Sequence, residues 1–286
     1  MSAALVVARH VLQESVRRRV FLVVLILSVL FLALFALATF EAFNAIDTIS
    51  PSGNTGTLDT RGLLTITLIG LGMFATLFLG TVLAVFLTLG AVRGDADRGL
   101  LQPLVVRPLG RAELLLGRFA GAAAVCAVYV LILYAAVLEM VQLAGSRGPD
   151  RILGPGLALM AGVVILVALS LLGSVLLSAV ANGIAMFMVF GAGLVAGLLS
   201  TIGSALNSQP VSTIAHDLSI ALPFEALYQA GLHALAADQT GFTGVLINLG
   251  PFGSSHAGGV ALDLWAAAYL AIIAAIAIFG FSRRDL

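Results

Sequence analysis

The chain of 286 residues contains no lysine, a single cysteine and few charged residues of any kind, which make up 10% of the total. A soluble domain carries about a quarter charged residues, so this composition excludes a soluble globular protein and indicates a polytopic membrane protein. A P-loop needs a lysine to contact the nucleotide phosphates. Any ATP that drives this protein must therefore be bound by another chain. Cys126 lies in an apolar run and has no partner for an intrachain disulfide.

The long apolar runs also contain almost no ionisable residues. Glu139 and Asp263 each lie about one helical turn from the end of a run, where a side chain can reach water. A proton-coupled transporter usually needs an ionisable group near the middle of the membrane, and an intramembrane protease needs a buried nucleophile or metal ligands. Neither is visible, which predicts no catalytic residues and a membrane protein that takes its energy from outside the bilayer.

Six apolar runs reach the length of about 20 residues that a membrane-spanning helix needs. They are Val20–Phe40, Leu63–Val92, Phe119–Leu143, Leu157–Val180, Ile184–Leu206 and Val260–Phe281. Backbone groups in lipid have no water to bond, so each run must be helical. The predicted fold class is all-α, with one transmembrane domain over residues 1–286. Only Ala181, Asn182 and Gly183 separate the fourth and fifth runs, which predicts a tight helical hairpin.

Residues 1–19 form a short amphipathic segment ahead of the first span. Valines can face lipid while the polar side chains face water, which favours an interfacial helix on the cytoplasmic leaflet. Simple anchoring of the first span by arginines is the alternative. The polar residues assigned to this helix are Arg9, Glu14, Arg17, Arg18 and Arg19.

A second amphipathic segment lies in the region 207–259, before the last span. Pro223 suits the first turn of a helix, and the apolar residues that follow it recur at helical spacing. Glu225, Gln229 and His233 fall on the opposite face. This pattern predicts a short helix that lies on the outer membrane surface and turns these three side chains toward water.

Histidines and carboxylates in the same region are candidate metal ligands, but their spacing is not that of a compact ligand set. We predict no metal site and expect hydrated side chains. The residues concerned are His216, Asp217, Glu225, His233, Asp238 and His256.

The arginines predict the orientation of the chain. If the N-terminus is cytoplasmic, eleven of the fourteen arginines lie inside, and only Arg61, Arg147 and Arg151 lie outside. Basic residues concentrate on the cytoplasmic side of membrane proteins. The sequence therefore predicts a multi-pass protein of the cell membrane with both termini in the cytoplasm.

A charged segment over residues 93–118 interrupts the apolar runs. It holds five arginines together with Asp95, Asp97 and Glu113, and leucines lie between them. An ordinary cytoplasmic loop explains the arginines but requires neither the aspartates nor the leucines. Charged rims around apolar centres are typical of protein interfaces, so the segment is a candidate docking site for a cytoplasmic partner.

This segment resembles the cytoplasmic stretch of type-two ABC exporter permeases. That stretch has acidic residues before Gly-Thr-Leu, then Pro-x-x-Arg, and closes with Leu-Leu-Gly-Lys/Arg. Leu100 replaces the usual threonine and Pro103 is an additional proline. The six-span layout, the N-terminal amphipathic segment and the Arg283–Leu286 ending are also similar. Within the family, the chain looks most like permeases paired with a separate ATPase, such as the membrane subunit in nitrous-oxide reductase maturation.

The resemblance implies a coupling helix that inserts into a cytoplasmic ABC ATPase, which holds the ATP and magnesium, and a second permease copy in the membrane. Membrane lipid is the remaining partner, and no nucleic acid is expected. Acidic residues in the first turn of that helix would suit its dipole. The coupling residues implied here are Asp95, Asp97, Arg98, Gly99, Leu100, Leu101, Leu104, Pro108 and Arg111.

Two functional hypotheses follow. In the first hypothesis, the chain is the permease subunit of an ATP-driven exporter, and the second and fifth spans line the cargo path. In the second hypothesis, the chain is a non-transporting anchor or sensor that recruits a partner through residues 93–118. A polar or glycine-rich cavity between spans would favour the first. The spans carry almost no charge, which suggests a lipophilic or amphipathic cargo. The lining residues predicted by analogy are Gly70, Gly72, Gly80, Gly193 and Gly197.

Overall fold

A computed structural model describes residues 19–49, 60–89, 111–145, 152–236 and 258–282. The described residues form helices and no strand, which confirms the all-α fold class. In chain order the helices are α1 (Arg19–Ile49), α2 (Thr60–Thr88), α3 (Arg111–Gly145), α4 (Leu153–Leu176), α5 (Ala179–Ala205), α6 (Gln209–Ala221), α7 (Pro223–Ala236) and α8 (Val260–Ser282).

Six of these helices, α1 to α5 and α8, are long and apolar enough to cross a membrane, as predicted. The helices α6 and α7 have only 13 and 14 residues and are too short to span. The end of the bundle at which α4 begins and α5 ends is called the outer end below, because the arginine pattern predicts that it faces away from the cytoplasm.

The hairpin between α4 and α5 turns a few residues earlier than predicted. The turn lies at Leu177 and Ser178, and α5 already begins at Ala179. Asn182 therefore sits inside a helix, although its residue type favours turns. It is fully buried, and its side-chain amide donates a hydrogen bond of 2.9 Å to the backbone oxygen of Ser170 in α4. This bond between neighbouring helices gives the asparagine a structural role other than turn formation.

The core of the bundle lies around α2, which packs against α1, α3 and α4. Within its most apolar stretch 78% of α2 is buried in the chain, compared with 17% of α1. Small residues allow this close packing. A Cβ on Gly80 would lie 2.8 Å from Val130 of α3 and 3.0 Å from Val163 of α4. These contacts fix α2, α3 and α4 as one unit against which the shorter helices pack.

The helices α6 and α7 form a hairpin that enters the bundle from its outer end. Ser212, near the start of α6, packs against Gly203 near the end of α5, and α6 then runs back along α5. The turn brings Phe224 against Gly162, which lies nine residues into α4 and thus about 14 Å from its first residue. Gly231 of α7 then packs on Pro155, in the first turn of α4. The α6–α7 hairpin therefore reaches from the outer end to about the middle of α4, and α7 runs back toward the outer end.

This hairpin corrects the surface position predicted for the segment after Pro223. The helix exists and begins at Pro223 as predicted. Its apolar side does not lie on lipid, however, because Phe224, Leu227 and Tyr228 belong to the buried core. Glycines on α4 and α5 leave room for a helix at this depth, and close packing on such small residues favours association between helices in a membrane.

Candidate functional site

Phe224 anchors the tip of the α6–α7 hairpin between α4 and α5. Its ring stacks on Phe190 of α5, with centroids 6.2 Å apart and planes inclined by 14°. The same ring occupies the space into which a Cβ on Gly193 would project. On the other side, a Cβ on Gly162 would lie 3.2 Å from the backbone oxygen of Phe224. Two glycines thus form the seat for this phenylalanine, which has no exposed surface.

Two aromatic side chains of α8 bond the end of α6 at the same depth. The indole nitrogen of Trp265 donates to the backbone oxygen of Ile220 at 3.0 Å, and the Tyr269 hydroxyl donates to the oxygen of Ala221 at 2.9 Å. The last carbonyls of a helix have no partner within the helix, and they are costly to leave unpaired away from water. These two donors therefore hold the end of α6 against α8, on an exposed side of the bundle.

Replacing Tyr269 with phenylalanine should lower the stability of the purified chain by about 1–3 kcal/mol, because the carbonyl of Ala221 loses its donor. Thermal unfolding in detergent measures the change. Tyr228→Phe is the matched control, since the buried hydroxyl of Tyr228 has no hydrogen-bond partner among the described residues. Equal losses in the two variants would contradict this role of Tyr269.

Glu225 and Gln229 lie inside the bundle, which corrects the prediction that they face water. Each side chain is only 4% exposed. The amide nitrogen of Gln229 donates to Oε1 of Glu225 at 3.3 Å. Both side chains pack against Gly197 of α5. A Cβ added to Gly197 would collide with Oε1 of Glu225 and would lie 2.6 Å from the amide nitrogen of Gln229. A carboxyl group that sequence analysis placed in water is thus enclosed between two helices.

Burial changes the acidity of this carboxyl group. Loss of water around Glu225 raises its pKa to about 7 from an ordinary value of 4.5, and the hydrogen bond from Gln229 opposes part of this rise. The composition of the spans gave no sign of such a group, because Glu225 belongs to a helix that does not span the membrane.

A groove of about 530 Å³ opens between α2 and α5, near the end of the bundle opposite to the hairpin. Its wall is apolar throughout, with residues from the last turns of α2 and the first half of α5. Met188 and Ile184 stand at its surface with 71% and 58% of their area exposed. Lining residues are Val85, Phe86, Leu89, Ala179, Val180, Gly183, Ile184, Phe187 and Met188.

The glycines predicted to line a path lie in packed positions of the bundle, and all five are buried. Gly72 packs on Val137, and Gly193 and Gly197 receive the hairpin. Whether they also line a path in an assembled transporter stays a prediction. The groove between α2 and α5 was not predicted residue by residue, although these are the two spans from which the lining was expected.

Most residues predicted to contact a cytoplasmic partner lie outside the described ranges. This applies to the coupling residues from Asp95 to Pro108 and to the interfacial residues from Arg9 to Arg18. Arg19 and Arg111 are the first residues of α1 and α3. Of the candidate metal ligands, Asp238 and His256 also lie outside, and no three histidine, cysteine or acidic side chains converge within the described part of the chain.

Six apolar helices and an embedded hairpin define the chain as a multi-pass membrane protein. The family model described as ABC-2 family transporter protein matches residues 5–286, and the chain therefore belongs to this family of transporter membrane domains. A search of curated proteins finds no match. The likeness to the nitrous-oxide reductase maturation transporter thus stays a prediction, whereas the membership of the type-two ABC transporter permeases is confirmed.

Proposed function

We propose that this chain is the permease subunit of an ATP-driven exporter, acting with a separate cytoplasmic ATPase and a second permease. The match of the ABC-2 transporter family over residues 5–286 carries the proposal. Two features support it further. The sequence has no lysine for a P-loop, and the charged segment at 93–118 has the acidic and leucine-rich composition expected of a coupling helix.

We assign the cargo path to the α2 and α5 sides of the permease. The open groove between these helices supports this assignment, because it lies between the two spans predicted to line the path; its wall, however, is apolar and contains a single glycine, Gly183. Its wall offers dispersion contacts and no charge, which suits a lipophilic or amphipathic molecule. Cargo would enter this groove between ATPase cycles, and closure of the ATPase dimer would press on residues 93–118 and move the helices to which they connect.

Ile184→Trp should reduce transport by about tenfold or more, equivalent to an added barrier of about 1.4 kcal/mol. Ile184 lines the groove, and an indole there would fill part of the space that cargo uses. The measurement is ATP-dependent uptake of a fluorescent lipophilic compound into inverted vesicles that contain the permease and its ATPase. ATP hydrolysis should continue, since the substitution leaves residues 93–118 themselves unchanged.

The matched control is Ile276→Trp, which adds the same ring to an exposed position of α8 outside the groove. Unchanged transport by both variants would contradict the path assigned here. Absence of ATP-dependent transport in the unmodified complex would instead favour the anchor or sensor function.

A further inference from the structure

The polar atoms of α7 are exceptional among those in the bundle. Among the described residues, five buried side-chain nitrogen or oxygen atoms have no hydrogen-bond partner, and three of the five lie on α7. These three atoms are Oε2 of Glu225, the hydroxyl oxygen of Tyr228 and Nδ1 of His233. Buried polar groups are nearly always paired. Three such atoms within three turns of one helix indicate that this helix face has a role other than packing.

No cation faces Glu225 from the helices that pack against α7. The sequences of α4 and α5 contain no ionisable residue. In α2 the only one is Arg61, which lies at the outer end and pairs with Asp47. The ionisable side chains of α6 and α8 do not supply a buried cation either. His216 and Asp217 on α6 and Asp263 on α8 are exposed, and the hydroxyl of Tyr269 donates to the backbone oxygen of Ala221.

Among the residues that the structure describes, an ionised carboxylate in this position would therefore lack a counter-charge. Its hydrogen bond from Gln229 compensates for only part of the lost hydration. A buried group of this kind becomes neutral instead of keeping its charge. A protonated carboxyl also gives Oε2, which has no partner among the described residues, a hydrogen to donate.

We propose that Glu225 is a proton-binding site whose occupancy is linked to the position of the α6–α7 hairpin. The carboxyl group holds a proton while α7 is seated against Gly197 and releases it to water when the hairpin leaves this seat. Gln229 and His233 follow at steps of four residues on the same side of α7, and they lead from Glu225 toward the outer end. This row of polar side chains is the side of α7 along which the proton would leave.

The difference in the pKa of Glu225 between the seated and unseated states determines how pH changes the position of the hairpin. Burial raises the pKa of seated Glu225 to about 7, whereas a carboxyl exposed to water has its ordinary value of 4.5. The seated state therefore binds more protons. The equilibrium ratio of seated to unseated hairpin is therefore greatest in acid. This ratio falls by up to about tenfold for each pH unit between the two pKa values and is constant at pH values above the higher pKa. Acid on the outer side should hold the hairpin in place. A role of hairpin movement in gating cargo rests on the proposed transporter function. The proton-binding site at Glu225 does not depend on that function.

Infrared spectroscopy of the full-length chain in lipid vesicles tests the site without any transport assay. A carbonyl-stretch band of a protonated carboxyl group should persist well above the pH at which exposed carboxyl groups ionise, and should disappear near pH 7. Glu225→Gln should lack this band, and Asp263→Asn, at an exposed position of α8, should keep it. A band that titrates at the ordinary value, or that is unchanged in Glu225→Gln, would overturn the proposal.

Trp265 reports the hairpin position in the same vesicles, because it is the only tryptophan of the chain and bonds the end of α6. Its emission should shift between acid and neutral pH in the unmodified chain and should not shift in Glu225→Gln. Emission that is independent of pH in the unmodified chain would overturn the link to hairpin movement.

If Glu225→Gln does not fold, isotope labelling of glutamate in the unmodified chain gives the same answer. Only five glutamates are present, and a labelled carboxyl band that titrates near pH 7 supports the site. Labelled bands that all titrate in the ordinary range contradict it.

Discussion

Gly193→Leu is expected to abolish the seating of the α6–α7 hairpin and to destabilise the chain by about 1–3 kcal/mol or more. The ring of Phe224 occupies the position into which a side chain on residue 193 would extend, and Phe190 stacks behind that ring. A leucine there must expel Phe224 or push α5 away from α7. The variant should unfold at a lower temperature in detergent, and its hairpin should become accessible to protease.

Gly191→Leu provides the matched control on the same helix. A Cβ on Gly191 meets no atom within 4 Å, so the added side chain extends into open space among the described residues. This variant should behave as the unmodified chain does. Similar stability of the two variants would mean that the hairpin does not depend on its seat at Gly193, and would contradict the role of Phe224 as the anchor of the hairpin tip.

Asp97→Ala and Leu101→Ala are each expected to uncouple the permease from its ATPase while leaving the membrane helices folded. The resemblance places both residues on the coupling helix, where truncation of an interface residue that dominates the binding energy costs about 2 kcal/mol or more, or roughly thirtyfold in affinity. Stimulation of ATP hydrolysis by the permease and ATP-dependent transport should both fall. The thermal unfolding temperature of the permease alone should not change.

Asp263→Ala and Leu153→Ala are the controls for these two variants. Asp263 is exposed near the start of α8, and Leu153 is 79% exposed at the start of α4. They remove the same side chains at the opposite end of the bundle, so both should retain coupling. Full stimulation by the Asp97 and Leu101 variants would contradict the assignment of residues 93–118 to the ATPase interface.

The sequence was sufficient to predict the spanning helices. Long apolar runs have no alternative to helix in lipid, and all six were found close to their predicted positions. The start of α7 was also predictable, because Pro223 opens an amphipathic pattern. The predicted helix boundaries were less accurate where a polar side chain bonds to a neighbouring helix instead of forming a turn. Asn182 suggested a turn, but its bond to Ser170 belongs to the packing of two helices.

The position of α7 could not be predicted from periodicity. The pattern indicates which residues share a face, but it does not tell which face is enclosed. In a soluble protein the polar face is the exposed one. Here the polar residues Glu225 and Gln229 turn toward Gly197, which lies far away in the sequence and is small enough to admit them. The sequence signal that could have raised the question is the pair of glycines, Gly193 and Gly197, one turn apart on α5.

The most direct test of the central claim is purification of the tagged chain in mild detergent, after expression with the products of neighbouring genes, followed by reconstitution into vesicles. We predict that an ABC ATPase co-elutes in equal amount, that the Asp97 and Leu101 variants lose it, and that the complex moves a lipophilic compound only when ATP is supplied. A chain that elutes alone, or with a partner that binds no nucleotide, would contradict the exporter account and support a membrane anchor or sensor.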